Sequence, residues 1–253
     1  MQARQEQVVV VTGANSGIGL ALARALHADG RRVAGLDLAG DQLAGLRFER
    51  CDVTDPSAVD AAIDAIVRDW GRVDVLVNNA CLAVFAPFEE RDLETTRREF
   101  EVNYYGYLHL IAAVVPHMKR QGGGVIHNVG STVGSTGFAG LSGYASTKGA
   151  IEALTRTLAI ELAPHGIAVN LVHPPLTRTP SAAPLGVPPQ FMADPEAVGR
   201  RLARKIGSRK ALLTPGLAEA VGVLFSRLVP GPMGAFLSGR AAAAAEASER
   251  TGA

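Results

Sequence analysis

The chain has 253 residues, of which 47% are hydrophobic and 19% charged, and its formal net charge is +1. This composition excludes a disordered chain, and the lack of a global basic field excludes nucleic acid as an expected partner. No polar low-complexity linker divides the sequence, so a single α/β domain is expected.

Residues 1–7 are polar and the apolar run at 8–11 is too short for a signal peptide or a membrane span. Residues 1–6 are therefore expected to be a disordered tail, no membrane span is expected, and the expected compartment is the cytoplasm. From residue 8 the chain reads VVVVTGANSGIGLALARALHADG. An all-apolar β-branched run, a Gly-rich turn and an amphipathic stretch predict a buried parallel strand feeding a helix. Gly13, Gly17 and Gly19 leave the turn without side chains, so that a diphosphate can approach the helix N-terminus. The position of these glycines, directly between strand and helix, makes a dinucleotide site the favoured reading over an ordinary turn.

The next strand, 33–36, ends at Asp37. An acidic side chain there accepts hydrogen bonds from the adenosine ribose and repels a 2′-phosphate. NAD is therefore favoured over NADP; Leu38 and Ala39 follow, and Ser16 stands where a basic residue could grip that phosphate. A third strand at 48–51 leads to Asp52 and Val53, placed to line an adenine. Asp52 could instead serve only the following turn, where Asp55 and Pro56 form an N-cap and N1 pair for a helix over 57–70. A fourth strand, 73–77, ends in Asn78, Asn79, Ala80 and Cys81, polar amides that suit the crevice at the carboxyl end of an open sheet.

Residues 92–119 predict a long helix interrupted around 103–106, with Asn103 either a chance interior polar residue or one held for function. Strand five, 125–129, runs to Ser131. Beyond it Tyr144 and Lys148, four residues apart, share one face of a helix continued by Ile151, Leu154 and Leu158. A free phenol titrates near ~10, so a fixed cation such as Lys148 would help it ionise at neutral pH. Tyr, Lys and Ser around one oxygen point to proton transfer at an alcohol or carbonyl. Residues 167–172 predict a sixth strand, and the alternation of strands and helices predicts a doubly wound parallel sheet of the Rossmann type with helices on both faces. Cys51 and Cys81 are then too far apart to pair, and two reduced thiols are expected; the six His are scattered, and no metal site is expected.

In this order and at these spacings, TGANSGIG, Asp37, Asp52-Val53, NNAC, Asn103, Ser131, YASTK and PPLTRT resemble the short-chain dehydrogenase/reductase family from Val8 to about Thr179. The resemblance implies an NAD(P)-dependent oxidoreductase that moves a hydride between nicotinamide and a secondary alcohol or ketone. Tyr144 would be its acid/base, Ser131 would orient the substrate oxygen, Lys148 would hold the nicotinamide ribose and lower the phenol pKa, and Asn103 would fix a relay water. The cofactor would be NAD, with NADP disfavoured, bound by Gly13, Asn15, Ser16, Gly17, Ile18, Gly19, Asp37, Asp52, Val53, Asn79, Ala80, Tyr144, Lys148, Pro174, Thr177 and Thr179. A dinucleotide-binding sensor or scaffold without turnover, and an isomerase or dehydratase on the same fold, are the alternative functions.

Cys81 replaces the family's usual Gly, Pro174-Pro175 replaces Pro-Gly, and the usual final strand motif is missing. The Pro-rich stretch 180–195 is expected to be a substrate lid. Its Leu185, Val187, Phe191 and Met192, with Val133, Phe138 and Leu141, would form an apolar substrate pocket, with plain surface packing the equal alternative. The basic run from Arg200 to Lys210 reads as a solvated face, ahead of a patch for an anionic substrate tail or a lipid head group. Residues 217–253 diverge: 217–237 predict an amphipathic helix broken near Pro230, its apolar stripe packed on the body beside the pocket, and 241–253 predict a frayed tail. A homodimer is expected through the helices near 95–118 and 144–163.

Overall fold

The computed structural model describes residues 6–40 and 45–251, so most of the predicted N-terminal tail and the last two residues lie outside the described residues. Val8–Thr12 (β1) sits between Arg32–Asp37 (β2) and Val75–Asn78 (β4), parallel to both. All five of its residues are buried, which is why the run carries valine on both faces rather than alternating. Arg47–Arg50 (β3), Gly124–Val129 (β5), Ile167–Val172 (β6) and Leu212–Leu213 (β7) complete a seven-stranded sheet in the order β3-β2-β1-β4-β5-β6-β7. Every pairing is parallel. The order reverses between β1 and β4, and a crevice opens there at the carboxyl ends of the strands.

Helices cover both faces. Pro56–Trp70 (α2), Gly106–Arg120 (α4) and Ser142–Glu161 (α6) pack one side through Ile63, Ile66, Leu110, Val114, Leu154 and Leu158. Gly17–Ala28 (α1) and Pro195–Ala203 (α7) pack the other through Leu22, Leu26, Val198 and Leu202. The caps follow the expected chemistry: Asp55 accepts from the Ser57 N–H at 2.9 Å with Pro56 in the first turn. The predicted interruption is a π-turn, Glu101–Tyr105, between Leu93–Phe100 (α3) and α4, and Asn103 in its middle is fully buried.

Three expectations need correcting. A final strand exists, but β7 is only two residues beside a basic loop, too short to leave an alternating pattern. The supposed frayed tail is part of a helix, Pro230–Thr251, which follows Leu217–Leu228; these are α9 and α8, and Val133–Thr136 is the short α5. Finally, the apolar stripe of α8 (Leu217, Val221, Leu224, Phe225, Leu228) does not pack on the body but faces outward. The lid stretch folds into two 3-10 turns, Pro180–Leu185 and Pro189–Phe191. Its base is closed by Ala193 N–H to Leu176 O at 2.8 Å and Arg178 N–H to Ala193 O at 3.0 Å.

His127 in the middle of β5 is completely buried, with Nδ1 against Asn170 Oδ1 and Nε2 accepting from the Gly207 N–H at 2.9 Å. Burial pushes its pKa down from 6.5 to about 4, and burial does the same to His173 just after β6. Because both folded-state values are depressed, the unfolded chain binds more protons between pH 6.5 and 4, so stability is full above that window and lost as pH falls through it. Thermal melts are expected to move down steadily across this interval; a flat melting temperature there would contradict neutral buried imidazoles.

Candidate active site

The crevice is a cavity of about 840 Å³ reaching from Asp37 and Asp52 at one end to Ser131, Tyr144 and the lid at the other. At the first end, Gly13 and Gly17 have φ of +63° and +54°. A Cβ on Gly13 would stand 2.8 Å from Ala80 Cα, one on Gly17 would stand 3.0 Å from Thr179 Cγ2, and one on Gly19 would meet Gly13 O at 2.1 Å. The turn therefore tolerates no side chains, and the loop bearing Thr177 and Thr179 closes directly over it. The Asp37 carboxylate accepts from the Asn15 and Leu38 backbone N–H groups, each at 2.8 Å, which fixes it at the cavity wall. Thr12, which the sequence did not single out, ties the two binding loops together: its Oγ1 accepts from Asn79 N at 2.9 Å and Ala80 N at 3.0 Å. Asn79 answers by donating to Thr12 O at 2.9 Å and Gly13 O at 3.2 Å. Asp52 accepts from Thr54 N and Oγ1 and still lines the cavity, beside Val53. A Gly-walled turn over a helix start and an anchored carboxylate at the end of β2 fit a nicotinamide dinucleotide. Ser16, Ile18, Pro174 and Thr177 lie on the same wall, whereas Asn15 contributes its backbone from behind it and Gly19 sits beneath the turn.

At the other end Tyr144, in the first turn of α6, lines the cavity together with Ser131, whose hydroxyl favours the ionised phenol. Lys148, one turn on, is buried; its Nζ donates to Val129 O at 2.8 Å and Tyr107 Oη at 3.3 Å and lies 5.5 Å from the Tyr144 ring centroid. α5 presses on this turn: a Cβ at Gly134 would fall 2.7 Å from the Lys148 carbonyl carbon. Burial raises the Tyr144 pKa well above the ordinary phenol range, with Cys81 and Glu99 adding to it and the Ser131 hydrogen bond opposing. Burial likewise lowers that of Lys148. The Val129 carbonyl and the Tyr107 hydroxyl fix the ammonium in place beside the Tyr144 ring. Asn103 is fully buried behind this part of the site. Its amide accepts from Leu82 N at 2.7 Å and donates to Leu82 O at 2.8 Å and Thr147 Oγ1 at 3.1 Å, so it clasps the 82–84 loop to α6 and does not line the cavity.

The loop after β4 is held further by a buried ion pair, Arg91 Nη1 to Glu99 Oε2 at 2.7 Å, with Val84 N–H donating to Glu99 Oε1 at 2.9 Å and Arg91 Nη2 donating to Val84 O. This loop brings Ala83 and Phe85 to the apolar wall formed by Val133, Phe138, Leu141, Leu185, Val187 and Phe191. Met192 does not reach it, while Phe236 and Leu237 of α9 do. α9 is seated by Gly234, whose Cβ would meet Thr136 O at 2.2 Å, and by Ser238 Oγ accepting from the Ala139 N–H at 3.0 Å. Cys51 and Cys81 are both free thiols, and among the described residues no group of three His, Cys, Asp or Glu side chains is placed to hold a metal ion.

The family model for short chain dehydrogenases matches residues 7–187, well over half of the chain. The chain belongs to the short-chain dehydrogenase family. Its relatives include the trans-4-hydroxycyclohexanecarboxylate dehydrogenase of Sinomonas cyclohexanicum, 36% identical over 197 residues, 71% of this chain and 76% of that one. Among solved structures, a short-chain dehydrogenase from Streptomyces avermitilis superposes with a TM-score of 0.76 at 33% identity, covering 88% of this chain and 92% of the other. A 3-ketoacyl-(acyl-carrier-protein) reductase from Brucella melitensis, complexed with NADH, gives 0.73 at 28% identity over 82% of this chain and 96% of its own. This short-chain dehydrogenase is thus an oxidoreductase of CH–OH and C=O groups that uses a nicotinamide dinucleotide.

Proposed function

We propose that the protein interconverts a mainly apolar secondary alcohol and its ketone, with NAD as the preferred cofactor and Tyr144 as the acid/base. The observation that carries this reading is the Ser131–Tyr144 hydroxyl pair beside the buried Lys148, at the point where the cavity turns from polar to apolar. When bound, the nicotinamide supplies or accepts the hydride. The chain's own residues do the rest. Ser131 holds the substrate oxygen, Tyr144 Oη gives it a proton in reduction or takes one in oxidation, and the lid, Phe85 and Phe236 exclude water from the carbon skeleton. Lys148 acts by supporting the site from beneath, through the Val129 carbonyl and Tyr107. The ring alcohol named for the Sinomonas relative supports an apolar secondary alcohol as the substrate class.

The preference for NAD rests on Asp37, whose carboxylate would face a 2′-phosphate at close range. The expected cost to NADP is on the order of 2 kcal/mol, or about 30-fold in affinity. Titrating NADH and NADPH by fluorescence checks it, and equal or tighter NADPH binding would contradict it. A cytoplasmic homodimer is the assembly we favour, paired through α3–α4 and α6, where Leu93, Tyr105 and Ile160 are exposed. A dinucleotide-binding protein without turnover would have no use for the Ser131–Tyr144 pair; turnover of any alcohol or ketone separates the two readings.

A further inference from the structure

Helix α8 is built inside out. Its two charged side chains turn toward the body, Glu219 to Arg201 at 3.9 Å and Arg227 to Glu152 of α6. Val223 and Ser226 are buried on that same face. Leu217, Val221, Leu224, Phe225 and Leu228, at helical spacing, face outward; Leu217 is 81% exposed, Leu228 71% and Leu224 60%. Beyond the bend Phe236 is 57% exposed at the cavity rim. An ordinary surface helix has the opposite polarity.

Charge surrounds this apolar face. Residues 195–240 carry eight Lys and Arg against two Glu, in a chain whose net charge is only +1. Arg204 and Lys210 adjoin Leu217 and Ala220 at the start of α8, and the Arg240 guanidinium lies 5.7 Å from the Phe236 ring centroid at the other end. A dimer with twofold symmetry through this face would bring two such positive segments together. An anionic bilayer complements both features, apolar side chains entering the acyl boundary and long basic ones reaching the headgroups. Among the described residues no single helix is long and apolar enough to cross a membrane, and α8 and the first half of α9 form an apolar stretch of that length only across a bend of 118°, a shape that suits lying on a surface.

We propose that the α8–α9 elbow is a docking face for anionic lipid surfaces, on which the protein lies with its cavity mouth at Phe236 and Leu237 turned to the bilayer. The full-length protein would be sedimented with vesicles of phosphatidylcholine alone and of phosphatidylcholine with phosphatidylglycerol. Binding is expected to be about tenfold or more stronger on the anionic vesicles. Leu224→Asp/Leu228→Asp should abolish it, and Arg204→Glu/Lys210→Glu should weaken it selectively on anionic lipid. All four side chains lie outside the cavity wall, so turnover of a soluble alcohol in the variants checks that the fold is intact and is independent of lipid binding. Failure of the wild type to sediment, or sedimentation of the double Asp variant like the wild type, overturns the proposal. So does a halving of the mass seen by light scattering in that variant, which would assign the face to a second copy.

Discussion

Replacing Tyr144 by Phe is expected to lower turnover by about 10²–10⁴-fold, the usual contribution of a positioned acid/base, and to leave dinucleotide binding nearly unchanged. The ring fills the same space, so the walls of the site stay in place; only the hydroxyl that meets Ser131 is lost. Because burial raises the phenol's pKa, proton uptake from an alcohol is favoured by high pH and proton donation to a ketone by low pH. Wild-type oxidation should therefore climb through the alkaline range, where the ionised fraction keeps rising, while reduction stays nearly level because the phenol remains protonated, and Tyr144→Phe should remove the oxidation slope. Steady-state kinetics in each direction, with cofactor titration by fluorescence, checks this. A variant with substantial residual activity would place the acid/base elsewhere.

Arg91→Ala is expected to cost about 3–5 kcal/mol of stability, the largest effect foreseen for a residue outside the cavity wall. Glu99 is completely buried, and Arg91 is its charge partner as well as a donor to the Val84 carbonyl. Without the guanidinium an anion stays buried next to Gly143 and Tyr144, where its charge already raises the phenol. The loop carrying Ala83 and Phe85 then loses its tether, so the denaturation midpoint and the affinity for apolar substrates should fall together. The double variant Arg91→Met/Glu99→Leu should recover much of the stability, since it removes the pair rather than one member. Equal denaturation midpoints for Arg91→Ala and wild type would show that the pair is not buried in solution.

What the sequence disclosed is what local chemistry encodes. The glycine turn, Asp37, the helical register of Tyr144 and Lys148, and the break at Asn103 each lie within a short stretch whose backbone demands are readable from residue type. The parallel, doubly wound sheet followed from the alternation of strands and helices. The features it hid are made by long-range contacts. Tyr107 reads as one more apolar helix residue, yet its hydroxyl meets Lys148. Glu99 and Arg91 sit in a charged stretch that looks solvated, but folding buries them against each other. The α8 stripe was legible as amphipathic, while its orientation was set by Arg227 and Glu152, residues 75 positions apart. The Val129 carbonyl that anchors Lys148 is likewise a backbone contact between distant segments, with no signature in residue type.

The central claim is that this cavity turns over secondary alcohols through Tyr144. The most direct test follows NADH absorbance while wild type and Tyr144→Phe are offered NAD with a panel of apolar secondary alcohols, and NADH with the matching ketones. The account predicts turnover by the wild type, greatest for ring-bearing apolar substrates, and loss of nearly all of it in the variant. Tight dinucleotide binding by both proteins with no turnover of any alcohol or ketone by the wild type would contradict it.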